Sequence, residues 1–140
     1  MCGITGIIDP SGNFPLGELV AEMIHVLDHR GPDSNGIWIN TEESIGLGHS
    51  RLAILDVTEA GSQPMASKSG RFVIVFNGEI YNHKVIRLEL QDQNHVSWIG
   101  NSDTETLIAA IEQWGCEAAL KKLVGMFAFA LWDRDSKTLK

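Results

Sequence analysis

The hydrophobic positions of this chain fall into strand-length blocks separated by stripes of helical period. GITGIID is rich in β-branched residues and runs into PSGN, which predicts a first strand and a turn. Leu16, Leu19, Val20, Met23, Ile24 and Leu27 recur with a spacing near 3.6, predicting an amphipathic helix that reaches about His29 and stops at Gly31-Pro32. Short extended segments are expected at GIWIN, IGLGHS and RLAILD. GRFVIVFNGEIYN predicts a strong strand that breaks at Asn77-Gly78, followed by a helix from Asn82 to about Leu90 and a strand at HVSWI. In NSDTETLIAAIEQWG, Ser102 precedes Glu105 by three residues, the pattern of a capping box. Leu107, Ile108, Ile111 and Trp114 form the apolar stripe of that helix, and Gly115 ends it. A short helix at EAALKKL, a strand at GMFAFALWD, a turn at DRDSK and the opening of another strand at TLK complete the pattern. This order predicts an α+β arrangement in which helices cover the outer faces of sheets. A chain whose last residues open a hairpin strand reads as a cut domain.

Composition narrows the class. At 140 residues, 44% hydrophobic and 21% charged, the sequence fits one globular domain with a sizeable core. Eighteen acidic against eleven basic side chains give a net charge of −7, and no Lys/Arg cluster is present. Binding to nucleic acid or to an anionic membrane therefore has little electrostatic support. The runs FVIVF and MFAFALW are far too short to span a bilayer, and the N-terminus lacks the basic and apolar regions of a secretory signal. Two cysteines, Cys2 and Cys116, without such a signal point to reduced thiols in the cytoplasm.

Several residue groups carry candidate chemistry, each beside a plainer reading. Cys2 is either a core thiol or, once Met1 is removed, a nucleophile whose own α-amine acts as base; the reference value of an α-amine is ~7.7–8.0, against ~10.4 for a lysine. Asn77-Gly78 is a common hairpin signature, yet the following residues read as helix. The pair can instead present an Asn side-chain N–H beside a Gly backbone N–H, as an oxyanion hole requires. Arg51 sits among Leu52, Ile54 and Leu55, and a buried arginine needs either an internal carboxylate or a ligand's carboxylate. In SDTE the cap accounts for Ser102 and Glu105 and leaves Asp103 to take an ammonium. His29 and Arg30 suit a helix C-terminus. His25 and His29 lack a third ligand at useful spacing, so no metal site is expected. Cys116 reads as a core thiol, and no phosphate-binding glycine loop is present.

Taken together, MCGI, HRGPD, GHSRLAILD, QPM, FNGEIYN, SDTE and GMFAFALWD resemble the glutaminase domain of glutamine-hydrolysing asparagine synthetases, which are class II glutamine amidotransferases of the N-terminal-nucleophile superfamily. The resemblance runs through nearly the whole chain in order. It implies an αββα sandwich of two antiparallel sheets between helical layers, here C-terminally truncated: residues 1–140 form the glutaminase domain, and a synthetase domain is expected beyond residue 140. It implies Cys2 as nucleophile, with Asn77 and Gly78 as the oxyanion hole. It implies a glutamine site made of Arg51 and the stretch Leu52, Ala53, Ile54 and Leu55 for the carboxylate, with Glu79 and Asp103 for the ammonium. His29, Arg30 and Asp33 border that site. No cofactor or metal is expected in this half; ATP and Mg belong to the synthetase domain, which is the expected partner. An exposed sheet edge left by truncation invites self-association, with a homodimer as one outcome. Two other readings stay open at this stage: the same glutaminase feeding a different acceptor, and a non-catalytic glutamine-binding regulatory module.

Overall fold

A computed structural model describes residues 2–94 and 96–140. Strand β1 (Gly3–Ile8) is followed by helix α1 (Leu16–Val26), β2 (Ser34–Asn40), β3 (Ile45–Arg51), the two-residue β4 (Met65–Ala66) and the long β5 (Phe72–Ile80). Then come α2 (His83–Asn94), α3 (Asp103–Trp114), α4 (Cys116–Lys122), β6 (Gly125–Asp133) and β7 (Thr138–Leu139). All described strand pairs are antiparallel. They form a three-stranded sheet in the order β1-β3-β2 and a four-stranded sheet in the order β4-β5-β6-β7.

Alternation along β5 explains why its sequence is apolar without a break. Phe72, Ile74 and Phe76 point into a core shared with Ile86, Leu90, Leu107, Ile108 and Ile111 of the helices. Val73 and Val75 point the other way, into a second core with Ile45, Leu47 and Trp132. A strand buried on both faces shows no polar half-period. The first sheet is covered on its outer face by α1, whose Val20 and Ile24 lie against Gly46 and Gly48 of β3. The layers are therefore α1, first sheet, second sheet and α2 to α4: the expected αββα sandwich.

Four local expectations are corrected. Helix α1 ends at Val26 instead of reaching His29, because residues 27–31 tighten into successive turns and the His29 ring hydrogen-bonds the freed Val26 carbonyl at 3.0 Å. RLAILD is not extended beyond Arg51, since the Leu52 and Ala53 amides are claimed by the Cys2 sulfur and the Asp33 carboxylate. In HVSWI, His95 lies outside the described residues and residues 96–98 form no strand. Ile99 and Gly100 donate instead to Glu105, and Trp98 lies under the Arg87 guanidinium at 4.1 Å. Finally, β5 does not break at Asn77-Gly78 but stays in register with β6 through Ile80. β4, with only two residues, has no periodic signal to find.

Among the described residues no helix is long and apolar enough to cross a membrane. A Cβ at position 48 would lie 2.6 Å from the Ile24 side chain and 2.8 Å from Thr5. Gly48→Ala should therefore lift α1 off the sheet and cost about 1–3 kcal/mol, read as a lowered urea midpoint at unchanged m-value.

Candidate active site

The site is a continuation of the inter-sheet core, where the inward-facing positions change from apolar to polar. Along β3 the row facing the second sheet reads Ile45, Leu47, His49, Arg51; along β5 it reads Val73, Val75, Asn77, Glu79. In β1, Ile4 packs against the same core, and Cys2 lies two residues earlier on that face. The apolar half of the sandwich is closed. Its polar end opens into a cleft with a volume of about 190 Å³, below the ~300–1,000 Å³ of drug-sized sites and suited to a small metabolite.

The ten residues that the resemblance assigns to the nucleophile, the oxyanion hole and the glutamine site all line this one cleft: Cys2, Arg51, Leu52, Ala53, Ile54, Leu55, Asn77, Gly78, Glu79 and Asp103. The Leu52 amide donates to Cys2 Sγ at 3.4 Å, and Sγ lies 3.6 Å from the Leu52 carbonyl, which fixes the sulfur against the loop that follows β3. The segment HRGPD supports both sides of this contact. Arg30 Nε donates to the Cys2 carbonyl at 3.1 Å, and the Asp33 carboxylate accepts from the Ala53 amide at 2.8 Å. His29 remains exposed on the α1 turn. His25 is likewise exposed and pairs with Asp28.

Arg51 is 7% exposed, yet it has no carboxylate ion pair among the described residues. Its Nη2 donates to the carbonyls of Asp56 and Thr58 at 2.5 and 2.8 Å. Carbonyls hold a guanidinium without neutralising it, and the Asp56 carboxylate, which also lines the cleft, acts on Arg51 through space without a direct ion pair. Of the two partners the sequence allowed, the internal carboxylate is not the one found. Asp103 supplies the opposite sign. It is the first residue of α3, behind the Ser102 cap, whose oxygen accepts the Glu105 amide at 3.1 Å. Asp103 is 5% exposed and accepts the Ile80 amide at 2.9 Å. Burial pushes its carboxyl above the ordinary value, against the pull of the Ile80 amide and the His83 charge.

The edge of β5 organises the remaining groups. In an antiparallel strand, alternate residues direct N–H and C=O to the same neighbour. Odd residues of β5 face β6, while even residues face the side where β4 ends early. There, Phe72 is bonded to Ser67 and Ile74 pairs with Met65. Past β4 the partners become side chains: Gln63 Oε1 accepts the Phe76 amide at 2.6 Å, His49 Nε2–H donates to the Phe76 carbonyl at 3.2 Å, and Asp103 takes the Ile80 amide. Gly78 lies between them on this edge. It is exposed, lines the cleft, and has no hydrogen bond on its N–H from any described residue. Its φ of 151° and the β6 backbone, which would lie 2.3 Å from a Cβ, admit only glycine. Beside it, Asn77 has a buried side-chain oxygen with no partner. A free backbone N–H on a cleft that a thiol also lines can hold a developing oxyanion, and the donor Asn77 can add there is its side-chain NH2, not the unpartnered oxygen.

His49 and Gln63 also line the cleft. Both stood inside quoted motifs, GHSRLAILD and QPM, but a polar residue in a strand or before a proline carries no signal of its partner. The His49 ring is 1% exposed, with Nδ1 unpartnered. Burial pulls its pKa down to about 4, only partly countered by the Phe76 carbonyl and lowered further by Arg51. A folded-state value below the unfolded ~6.5 means that the unfolded chain binds the extra proton. Stability should therefore fall as pH drops from ~6.5 toward 4, by up to ~3 kcal/mol from this group, and His49→Gln should flatten that slope in urea titrations.

The chain matches the family described as "Glutamine amidotransferase domain" over residues 1–140. It is 39% identical to asparagine synthetase [glutamine-hydrolyzing] 1 of Bacillus subtilis, with 99% of this chain and 22% of the relative aligned. It is 38% identical to asparagine synthetase B [glutamine-hydrolyzing] of Escherichia coli, over 96% of this chain and 24% of that protein. It is also 36% identical to the amidase chry2 of Gibberella zeae, over 99% of this chain and 22% of the relative. The chain thus spans about a fifth to a quarter of the length of these relatives. Among solved structures, glutamine phosphoribosylpyrophosphate amidotransferase of B. subtilis superposes with a TM-score of 0.73 at 20% identity, over 95% of this chain and 35% of that one, a likeness of fold.

Proposed function

This chain belongs to the glutamine amidotransferase domain family, and on that premise we propose that it hydrolyses glutamine to glutamate and ammonia at the cleft between its two sheets, with Cys2 as nucleophile. The observation that carries the reading is the Gly78 N–H, unbonded in a strand edge whose neighbouring groups are satisfied, opening onto the cleft that Cys2 lines.

Glutamine lies with its α-carboxylate on Arg51 and the 52–55 loop, and its α-ammonium toward Asp103 and Glu79. Arg51 and Asp103, opposite in charge and both lining the cleft, hold the zwitterionic end of glutamine and leave its side-chain amide to reach the sulfur. With Met1 removed, the Cys2 α-amine takes the thiol proton as Sγ attacks the amide carbon. The oxyanion of the tetrahedral intermediate accepts from the Gly78 N–H and the Asn77 carboxamide N–H. The α-ammonium returns its proton to the departing nitrogen, which leaves as ammonia. Water, deprotonated by the same amine, then attacks the thioester carbonyl, and the sulfur departs with glutamate released. None of these steps calls on a cofactor.

The ammonia is consumed by an ATP- and Mg-dependent asparagine synthetase domain of the same polypeptide; that domain is the partner, and glutamine is the small-molecule substrate. The reaction takes place in the cytoplasm, where Cys2 stays reduced. A second reading keeps the glutaminase and changes the acceptor; the 36% identity to an amidase, close to that with the synthetases, favours keeping it in view.

With the N-terminus processed, glutamate release should vanish in Cys2→Ala, and an electrophilic diazoketone analogue of glutamine should label the Cys2 sulfur. Processed protein that binds glutamine but neither turns it over nor takes the label would instead be a binding module. Asn77→Ala should lower kcat by about 10²–10³-fold.

Asp103 must be ionised to hold an ammonium, and burial raises its pKa, so KM for glutamine should climb on acidification earlier than an ordinary aspartate would dictate. Asp103→Asn should raise KM by about 30-fold or more and remove that acid limb, measured by initial rates of glutamate release.

A further inference from the structure

His49 has no part in the steps above, yet it is the polar residue placed deepest in the inter-sheet row, next to Leu47. An imidazole buried with one nitrogen unpartnered is costlier than a satisfied one. An aliphatic side chain, as at 45 and 47, would fill the layer without that cost. What the imidazole supplies is one directed N–H, and its target is the Phe76 carbonyl. That carbonyl belongs to the peptide joining Phe76 to Asn77. On the other side of the same residue, Gln63 holds the Phe76 N–H, while its own amide group donates to Thr104 Oγ1 at 3.2 Å near the start of α3. The two side chains replace the strand that β4 does not provide.

We propose that His49, with Gln63 as its counterpart, is a positioning residue that sets the Phe76-Asn77 peptide, and through it the direction of the Asn77 and Gly78 donors. This inference rests on the reading of those two residues as the oxyanion hole. Three observations carry it. The two bonds fall on the residue immediately before the donors. They occur on the strand edge that carries the Gly78 N–H. They come from two different loops or strands, so neither follows from the ladder of the second sheet. The imidazole acts as a neutral, fixed donor and exchanges no proton with substrate.

The test uses the whole polypeptide with a processed N-terminus. His49→Met keeps volume and removes the donor; His49→Gln keeps an amide N–H at a similar reach. In His49→Met, kcat for glutamate release should fall by about 10²-fold with KM within about threefold of the parent. Binding of glutamate γ-semialdehyde, which Cys2 traps as a tetrahedral thiohemiacetal, should weaken in parallel, while inhibition by glutamate should not change. His49→Gln should recover most of the loss, and the pH–rate profile should keep its shape. In an Asn77→Ala background, His49→Met should cost less than about threefold more, since the donor it aims is already gone.

A KM effect at unchanged kcat, no recovery by His49→Gln, or full additivity with Asn77→Ala would overturn the proposal. If Asn77→Ala itself keeps parental kcat, the oxyanion reading falls and takes this one with it. If Asn77→Ala is slow and His49→Met is not, this proposal alone falls. Should His49→Met not fold, Gln63→Met against Gln63→Glu reads the same question from the Phe76 N–H and is judged by the same outcomes.

Discussion

Strand β5 is buried on both faces from Phe72 to Phe76, and such a stretch can satisfy its backbone only in the plane of its sheet. On one edge β6 does this along the full length from Phe72 to Ile80. On the other edge β4 pairs with two residues and then leaves. The unpaired length of that edge is the constraint from which the site grows. Its amides and carbonyls are met one by one by side chains from elsewhere: Gln63 and His49 on Phe76, and Asp103 on Ile80. An edge group in a dry sandwich that lacks a protein partner is expensive unless it meets solvent or a ligand. The Gly78 N–H is placed where the cleft makes that possible.

The same constraint explains the charge arrangement. Asp103 meets β5 where a buried Ile80 amide, past the end of β4, needs an acceptor, and it arrives there on the first turn of α3, where a carboxylate also suits the helix dipole. Arg51 is held from the opposite sheet by loop carbonyls, so its charge is positioned but not cancelled. A cation on β3 and an anion on α3 thus face one narrow space whose floor is the apolar inter-sheet core. With water restricted, each charge acts more strongly there than it would on an open surface. A zwitterionic ligand matches this layout better than a simple anion or cation.

Support for the cleft comes from segments that lie far apart in sequence. Arg30 and Asp33, just after α1, brace the Cys2 carbonyl and the 52–55 loop. Arg87 of α2 ties Thr106, Gly100, Ser102 and Glu105 together, which steadies the start of α3 and with it Asp103. Strand ends and a helix start carry most of the candidate groups, and ionic or hydrogen-bonded ties from distant segments hold those ends in place.

The sequence by itself marked most element types, because strand and helix periods are local properties, although residues 96–98 in HVSWI and those after Arg51 in RLAILD read as extended and form no strand. Val73 to Phe76 read as part of a strong strand, and Ser102 with Glu105 as the capping pattern of a helix; that the strand is buried on both faces came from the packing. It also marked the chemistry, since a cysteine at position 2, an arginine among leucines and isoleucines, and an Asn-Gly without a second hairpin strand are each locally odd. Tertiary structure decided the rest. Whether RLAILD extends or folds back depends on Cys2 Sγ and Asp33, 50 and 20 residues away. Whether β5 breaks at Gly78 depends on the β6 backbone lying alongside it. The roles of His49 and Gln63 depend on an edge that exists only once β4 has ended and the two sheets have stacked. Local spacing encodes which face a residue takes; only packing brings a partner from a distant segment, and that partner settles what a buried polar group does.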